Sequence, residues 1–166
     1  TFNVSAGEDV KCTFTNIKRG HLIVQKTTLP AEDPTEFSID ASGTGTITGG
    51  GTGTITDVTG EDYEVTPGEY SVDEDTPLGW DETGNTCVGV TVAPGETETC
   101  EITNVKQGKI TIIKDATPND SQDFEFSFTD EDNFFLDDDQ GVQEPSGTDQ
   151  PQSKTFENLP ANADYT

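Results

Sequence analysis

Apolar and polar residues alternate along most of this chain, which is the period of a strand and not of a helix. Leu22, Val24 and Lys26 share one face of a first strand. Tyr70, Val72 and Glu74 share a face of a later one, and Cys100, Ile102 and Asn104 a face of a third. In each of the three, a polar residue continues an apolar face. Turn signals separate the runs, among them Thr66-Pro67-Gly68-Glu69 and Ala93-Pro94-Gly95-Glu96. From Gly43 the chain reads GTGTITGGGTGTITD, a doubled segment that predicts a hairpin on a sheet edge, turning at Gly49-Gly50-Gly51. A low-complexity linker is the alternative. About seven short strands in roughly 90 residues, with Pro/Gly turns, predict an antiparallel β-sandwich.

The pattern recurs. Residues 12–20 are CTFTNIKRG and residues 100–108 are CEITNVKQG. Cys12 and Cys100, Asn16 and Asn104, and Gly20 and Gly108 are each 88 positions apart. HLIVQKTTLP after Gly20 answers KITIIKDATP after Gly108, and EFS at Glu36 returns at Glu125. A period near 90 is too long for a solenoid unit and suits a small independent domain. The expected organisation is the end of one repeat in residues 1–18, a complete repeat in 19–106 and the start of another in 107–166. In the last segment Ile110, Ile112 and Lys114 share a face, and Phe124, Phe126 and Phe128 should point into a core. DEDNFFLDDDQG is expected to form an acidic loop or hairpin, and LPANADYT aligns with VTPGEYS. The object expected is a piece of a bead-on-string extracellular protein.

Composition narrows the partners. The net charge is −25 and 29% of residues are hydrophobic, values that lean towards disorder and that the regular alternation opposes. Only 8 Lys and Arg are present, so nucleic-acid binding is disfavoured. The acidity repels anionic membrane surfaces, and no apolar run is long enough to span a bilayer. No signal peptide is visible, and a segment that starts within a repeat would have lost one. Such acidity also suits a saline or calcium-bearing medium, where counterions screen self-repulsion. Three cysteines are an awkward number for a secreted protein. Cys87 and Cys100 both fall in the complete repeat, whereas the counterpart of Cys87 that would partner Cys12 lies before Thr1. This predicts a Cys87–Cys100 disulfide around the APGE hairpin. Strict alternation puts Val88, Val90 and Val92 on the face opposite Cys87, so bringing the two sulfurs together calls for a bulge. Three unrelated buried thiols are the alternative. Asn3 and Asn119 open N-x-S sequons, candidates for glycosylation.

Catalytic motifs are missing, and the one histidine, His21, sits at a repeat boundary, so no enzyme is expected. No cofactor is expected beyond calcium. Hard oxygen ligands suit that ion, and Asp130, Asp132, Asp137, Asp138 and Asp139 cluster, with Asp137, Asp138 and Asp139 as candidate ligands. Their spacing does not fit an EF-hand, and a solvated acidic loop is the simpler account.

VQKTT with Lys26, the Pro-Gly-x-Tyr hairpin segment PGEYSVDEDTPLGW from Pro67 to Trp80, and EITN ending at Asn104 follow one another in a recognisable order. In order and spacing they resemble the prealbumin-like, Cna B-type repeat domains of microbial surface proteins and pilins. The resemblance implies a seven-stranded β-sandwich and a mechanical role in stalks, spacers and fibre shafts. The cysteine pair departs from the commonest form of that family. An unpaired buried Lys or Glu is costly, and burial favours the neutral forms of an amine and a carboxyl. The expectation is an intramolecular isopeptide bond between Lys26 and Asn104, assisted by Glu74. The alternative is that Lys26 snorkels outward and Asn104 caps its strand. The function expected is a structural module of a cell-surface or secreted filament, partnered by neighbouring repeats or by copies of itself. The alternative is an adhesin or calcium-binding module that recognises a carbohydrate or protein through exposed loops. Trp80 falls where the family places a core aromatic, and Phe134-Phe135 would serve adhesion only if exposed.

Overall fold

The computed structural model describes residues 3–117, 123–137 and 151–166. Its middle part is a sandwich of two four-stranded sheets. The strands are β1 (Gly20–Leu29), β2 (Phe37–Gly43), β3 (Thr52–Ile55), β4 (Glu61–Val65), β5 (Gly68–Asp75), β6 (Trp80–Asn85), β7 (Val90–Val92) and β8 (Thr97–Lys106). One sheet has the order β4-β1-β8-β6 and the other β3-β2-β5-β7. The all-β sandwich expected from the alternation is therefore what forms. Its one departure from antiparallel pairing is between the first and last strands, β1 and β8, which run parallel from His21↔Thr97 to Leu29↔Val105.

Alternation explains which side chains are inside. Leu22, Val24 and Ile102 from one sheet meet Phe37, Ile39, Tyr70, Val72 and Val92 from the other, all buried. Trp80 is buried too, edge-on to Phe37 with ring centroids 5.2 Å apart. It fills the core position the family resemblance implied.

Two local expectations change. The Pro-Gly turns do not make hairpins. The one at Thr66–Glu69 joins β4 to β5, and the one at Ala93–Glu96 joins β7 to β8, so each carries the chain from one sheet to the other. Tyr70 secures the first crossing by donating its hydroxyl proton to Thr66 O at 2.5 Å. The doubled Gly/Thr segment also does not fold back on itself. Its second half becomes edge strand β3, antiparallel to Phe37–Asp40 of β2, with Ile55 opposite Phe37. Its first half crosses to the other sheet, where Ile47 bridges Val65. Identical halves thus go to different sheets, because each isoleucine finds a different apolar edge to cover. Gly51 permits this path, since a Cβ there would lie 1.9 Å from Ala41 O.

The remaining strands are β9 (Gly108–Ile113), β10 (Phe124–Phe126), β11 (Phe134–Leu136) and β12 (Ser153–Leu159). β9 pairs with β12 and β10 with β11. The acidic stretch is partly a hairpin, as expected. Of the three alternating phenylalanines only Phe128 is buried, and it stacks on Phe156 at 4.0 Å. Phe124 and Phe126 are half-buried. The pairing echoes the middle sandwich: Gly20 faces Val65 and Leu22 faces Tyr63, as Gly108 faces Leu159 and Ile110 faces Phe156. Tyr165 donates its hydroxyl proton to Pro160 O at 2.9 Å, much as Tyr70 does to Thr66. Residues 3–19 form no strand, and Phe14 and Ile17 are exposed.

Tyr63 carries a testable tension. Its side chain is buried, yet its hydroxyl has no hydrogen-bond partner among the described residues. Burial, then the charges of Glu61 and Asp40, push its pKa up to about 12. The unfolded value is about 10. Between those values the folded form keeps a proton the unfolded form has lost, so stability is whole below pH ~10 and falls as pH rises towards ~12. Tyr63→Phe should be neutral or stabilising by up to about 1 kcal/mol at pH 7 and should reduce this alkaline loss. Urea unfolding at both pH values checks it, and a clear destabilisation at pH 7 would contradict it.

Candidate functional site

The three polar residues that end apolar faces converge inside the sandwich. Lys26 comes from β1, Asn104 from β8 and Glu74 from β5 in the facing sheet. The side chains of Lys26 and Glu74 are fully enclosed, and Asn104 is 0% exposed. Lys26 does not snorkel outward. Lys26 Nζ lies 3.0 Å from Glu74 Oε2, and Asn104 Nδ2 donates to Glu74 Oε1 at 2.5 Å. One carboxyl group thus holds the amine with one oxygen and the carboxamide with the other. The parallel register places Lys26 opposite Ile102 and Thr28 opposite Asn104, so Lys26 and Asn104 lie two positions apart on the same face of adjacent strands.

The surroundings favour the unprotonated amine. Burial lowers the Lys26 pKa, against the opposing hydrogen bond and charge of Glu74 and the charges of Glu82 and Asp57. Lys26 Nζ also sits 4.2 Å from the centroid of the Phe37 ring and 3.4 Å from Ile102 O. Asn104 Oδ1 is buried without a hydrogen-bond partner among the described residues. A free amine, a carboxyl and a carboxamide are costly in such a core. Chemically the arrangement gathers an amine and a carboxamide on one shared carboxyl group, which can carry a proton between them.

Cys87 and Cys100 form the expected disulfide, with Cα atoms 5.0 Å apart. Cys87 lies in the turn before β7, where its carbonyl accepts from Val72 N of β5. Cys100 is on β8, so the bond ties one sheet to the other. The face change comes from Gly89, whose φ is +68°. It lets Cys87 and Val92 both point inward and turns Val88 out to 68% exposure. Val88 therefore does not share the face of Val90 and Val92, as strict alternation had implied.

Phe37 and Asp57 belong to the site and were not anticipated. The repeated EFS tripeptide was the available sign of Phe37. Asp57 had none: its carboxylate accepts from Thr28 N at 2.6 Å and from Glu32 N, and so fixes the end of β1 beyond Lys26. Lys114, the counterpart of Lys26, lies 4.2 Å from the Phe124 ring centroid, and Asn16, the counterpart of Asn104, is exposed. The structure does not bring those two together.

The other candidates separate. Asn3 is exposed, whereas Asn119 lies outside the described residues. Asp137 is buried at the end of β11, and Asp138 and Asp139 lie outside the described residues. Among the described residues no group of three or more His, Cys, Asp or Glu side chains is placed to hold a metal ion. Cys12 is an exposed thiol. Phe134 packs against Phe126 and Phe156, and only Phe135 faces solvent. No helix among the described residues is long and apolar enough to cross a membrane.

No curated protein matches the chain. The model of the prealbumin-like fold domain matches residues 20–112, which takes in the whole sandwich, the Lys26–Glu74–Asn104 cluster and the disulfide. The chain belongs to that prealbumin-like family.

Proposed function

We propose that this chain is a structural module of an extracellular fibre, stalk or pilus-like surface protein, built of tandem repeats and stapled covalently. It performs no turnover. Its partners are neighbouring repeats of the same protein. The observation that carries the proposal is the single buried carboxyl of Glu74 holding both Lys26 and Asn104. The neutral Lys26 amine attacks Asn104 Cγ. Glu74 passes a proton to the departing nitrogen and recovers one from the attacking amine. One C–N bond breaks, another forms, and ammonia leaves. Enclosure and the shared contact with Glu74 supply the effective concentration, so no outside enzyme is needed.

The family supports the mechanical reading, and so does the load path. β1 and β8 are neighbours, and the chain enters at the start of β1 and leaves at the end of β8. A Lys26–Asn104 bond would carry tension directly between them. The test is intact mass after proteolysis. The parent should be lighter than its sequence by one ammonia in addition to the two hydrogens of the disulfide, with a branched peptide joining Lys26 and Asn104. Lys26→Ala should restore the ammonia mass. A parent of full mass would overturn the staple.

The calcium reading has a separate test. At fixed high ionic strength, a chelator should lower the melting temperature if calcium binds near Asp137. An unchanged melting temperature removes calcium and leaves the structural module intact.

A further inference from the structure

The disulfide and the Lys26–Glu74–Asn104 cluster are connected through β5 and β8. Cys100, Ile102 and Asn104 share the inward face of β8, so Cys100 and Asn104 stand four residues, about 13 Å, apart on one strand. In the facing sheet the β5–β7 ladder stops at Tyr70↔Val90. Beyond it, Val72 is held by the segment that carries Cys87. Val72 N donates to Cys87 O at 2.8 Å, and Asn85 Nδ2 donates to Val72 O at 3.2 Å. Asn85 Oδ1 in turn accepts from Cys87 N at 2.8 Å. Thr86 N donates to Glu101 O, which lays the same segment against β8. Glu74 follows Val72 by two residues on the same face of β5.

We infer that the Cys87–Cys100 disulfide is a redox switch for the Lys26–Asn104 bond. Closing it fixes β5 against β8 and so brings the Glu74 carboxyl onto both reacting side chains. The two thiols give up two hydrogens and two electrons to an external disulfide, which is reduced to two thiols. The amide exchange that follows is redox-neutral and releases ammonia.

Geometry sets this order. The two oxygens of Glu74 reach partners on two different strands of the opposite sheet, Asn104 of β8 and Lys26 of β1. A displacement of about 1 Å in such a constellation costs about 100-fold in rate. With both thiols reduced, the anchor of Val72 has no covalent tie to β8. Thiols stay reduced in most cytosolic settings and pair outside them. In a surface fibre the switch would hold back the irreversible bond until the chain is outside the cell. The inference rests on the isopeptide reading and names its trigger.

The test uses the 166-residue chain with Cys12→Ser, which removes the exposed third thiol. Protein unfolded in guanidinium chloride with dithiothreitol is diluted into buffer holding either oxidised glutathione or fresh dithiothreitol. Free thiols are alkylated at intervals and intact mass is read, so disulfide closure and ammonia loss are counted on the same molecules. The oxidised sample should pass through a disulfide-bonded species of full ammonia mass before the lighter product. Ammonia loss in the reduced sample should be slower by about tenfold or more. Fluorescence of Trp80, buried in the folded sandwich, shows whether the reduced chain has folded. Asn85→Ala tests the positioning in either case: its disulfide should close in oxidised glutathione while its ammonia loss slows several-fold. Equal rates in the two buffers, a lighter product that still carries free thiols in the oxidised sample, or an Asn85→Ala chain as fast as its parent would overturn the switch and leave the staple standing. An oxidised parent that closes its disulfide and never loses ammonia would overturn the staple, and the switch with it.

Discussion

Glu74→Ala should be the most damaging single change in the sandwich, costing about 3–5 kcal/mol. It removes the carboxyl that, among the described residues, touches both Lys26 and Asn104, and it leaves a buried amine facing a phenylalanine ring and a carbonyl. It should also leave the Lys26–Asn104 bond unformed. Glu74→Gln separates the two effects, since its amide oxygen still accepts from Asn104 but cannot relay a proton. That variant should fold and keep its full ammonia mass. Lys26→Met combined with Glu74→Leu removes both charges and should recover part of the stability lost in Glu74→Ala, because an apolar pair replaces the stranded amine; the rest is the cost of the Asn104 amide left without its acceptor. Urea midpoints of the four proteins, with intact masses beside them, decide the matter. Glu74→Ala within about 1 kcal/mol of the parent would show that the carboxyl does not govern this core.

Breaking the disulfide should come next, at about 3 kcal/mol for a loop of this length. Cys87→Ala with Cys100→Ala is the suitable variant, because serine at these buried positions would add hydroxyls without partners. The bond ties the turn before β7 to β8 across the sandwich, so its loss should loosen the β5–β7 edge before the β1–β8 pair. Hydrogen exchange checks the order. Early exchange at Val72, whose amide proton goes to Cys87 O, with protection retained along β8, is the expected pattern. Uniform exchange across both sheets would contradict it.

Much of this was legible in the chain because strand alternation reports burial directly. Lys26, Glu74 and Asn104 could be assigned inward from the residues two and four places before them. What alternation cannot report is which sheet a strand joins. The Pro67-Gly68 turn looks local in sequence, yet it crosses between sheets, and the parallel β1–β8 pair depends on contacts far apart in the chain. The doubled Gly/Thr segment failed for a related reason. Its two copies are locally equivalent, and only their tertiary neighbours, Val65 for Ile47 and Phe37 for Ile55, distinguish them. Gly89 defeated strict alternation at Val88 because one left-handed residue resets the face. Asp57 was invisible because its role is to cap a strand end, which leaves no periodic trace.

Only Gln107 separates β8 from β9, and its amide proton goes back to Gly79 O at 2.8 Å while its side chain donates to Asp81 at 2.6 Å. In the tandem-repeat fibre proposed above, a connection so short and so pinned would work as a ruler. Each added sandwich would extend such a protein by about one ten-residue strand, roughly 33 Å. The number of repeats encoded would then set how far a distal tip stands from the surface that anchors it. Reach would be inherited as copy number and would change in whole steps by duplication or deletion, without a new fold having to evolve.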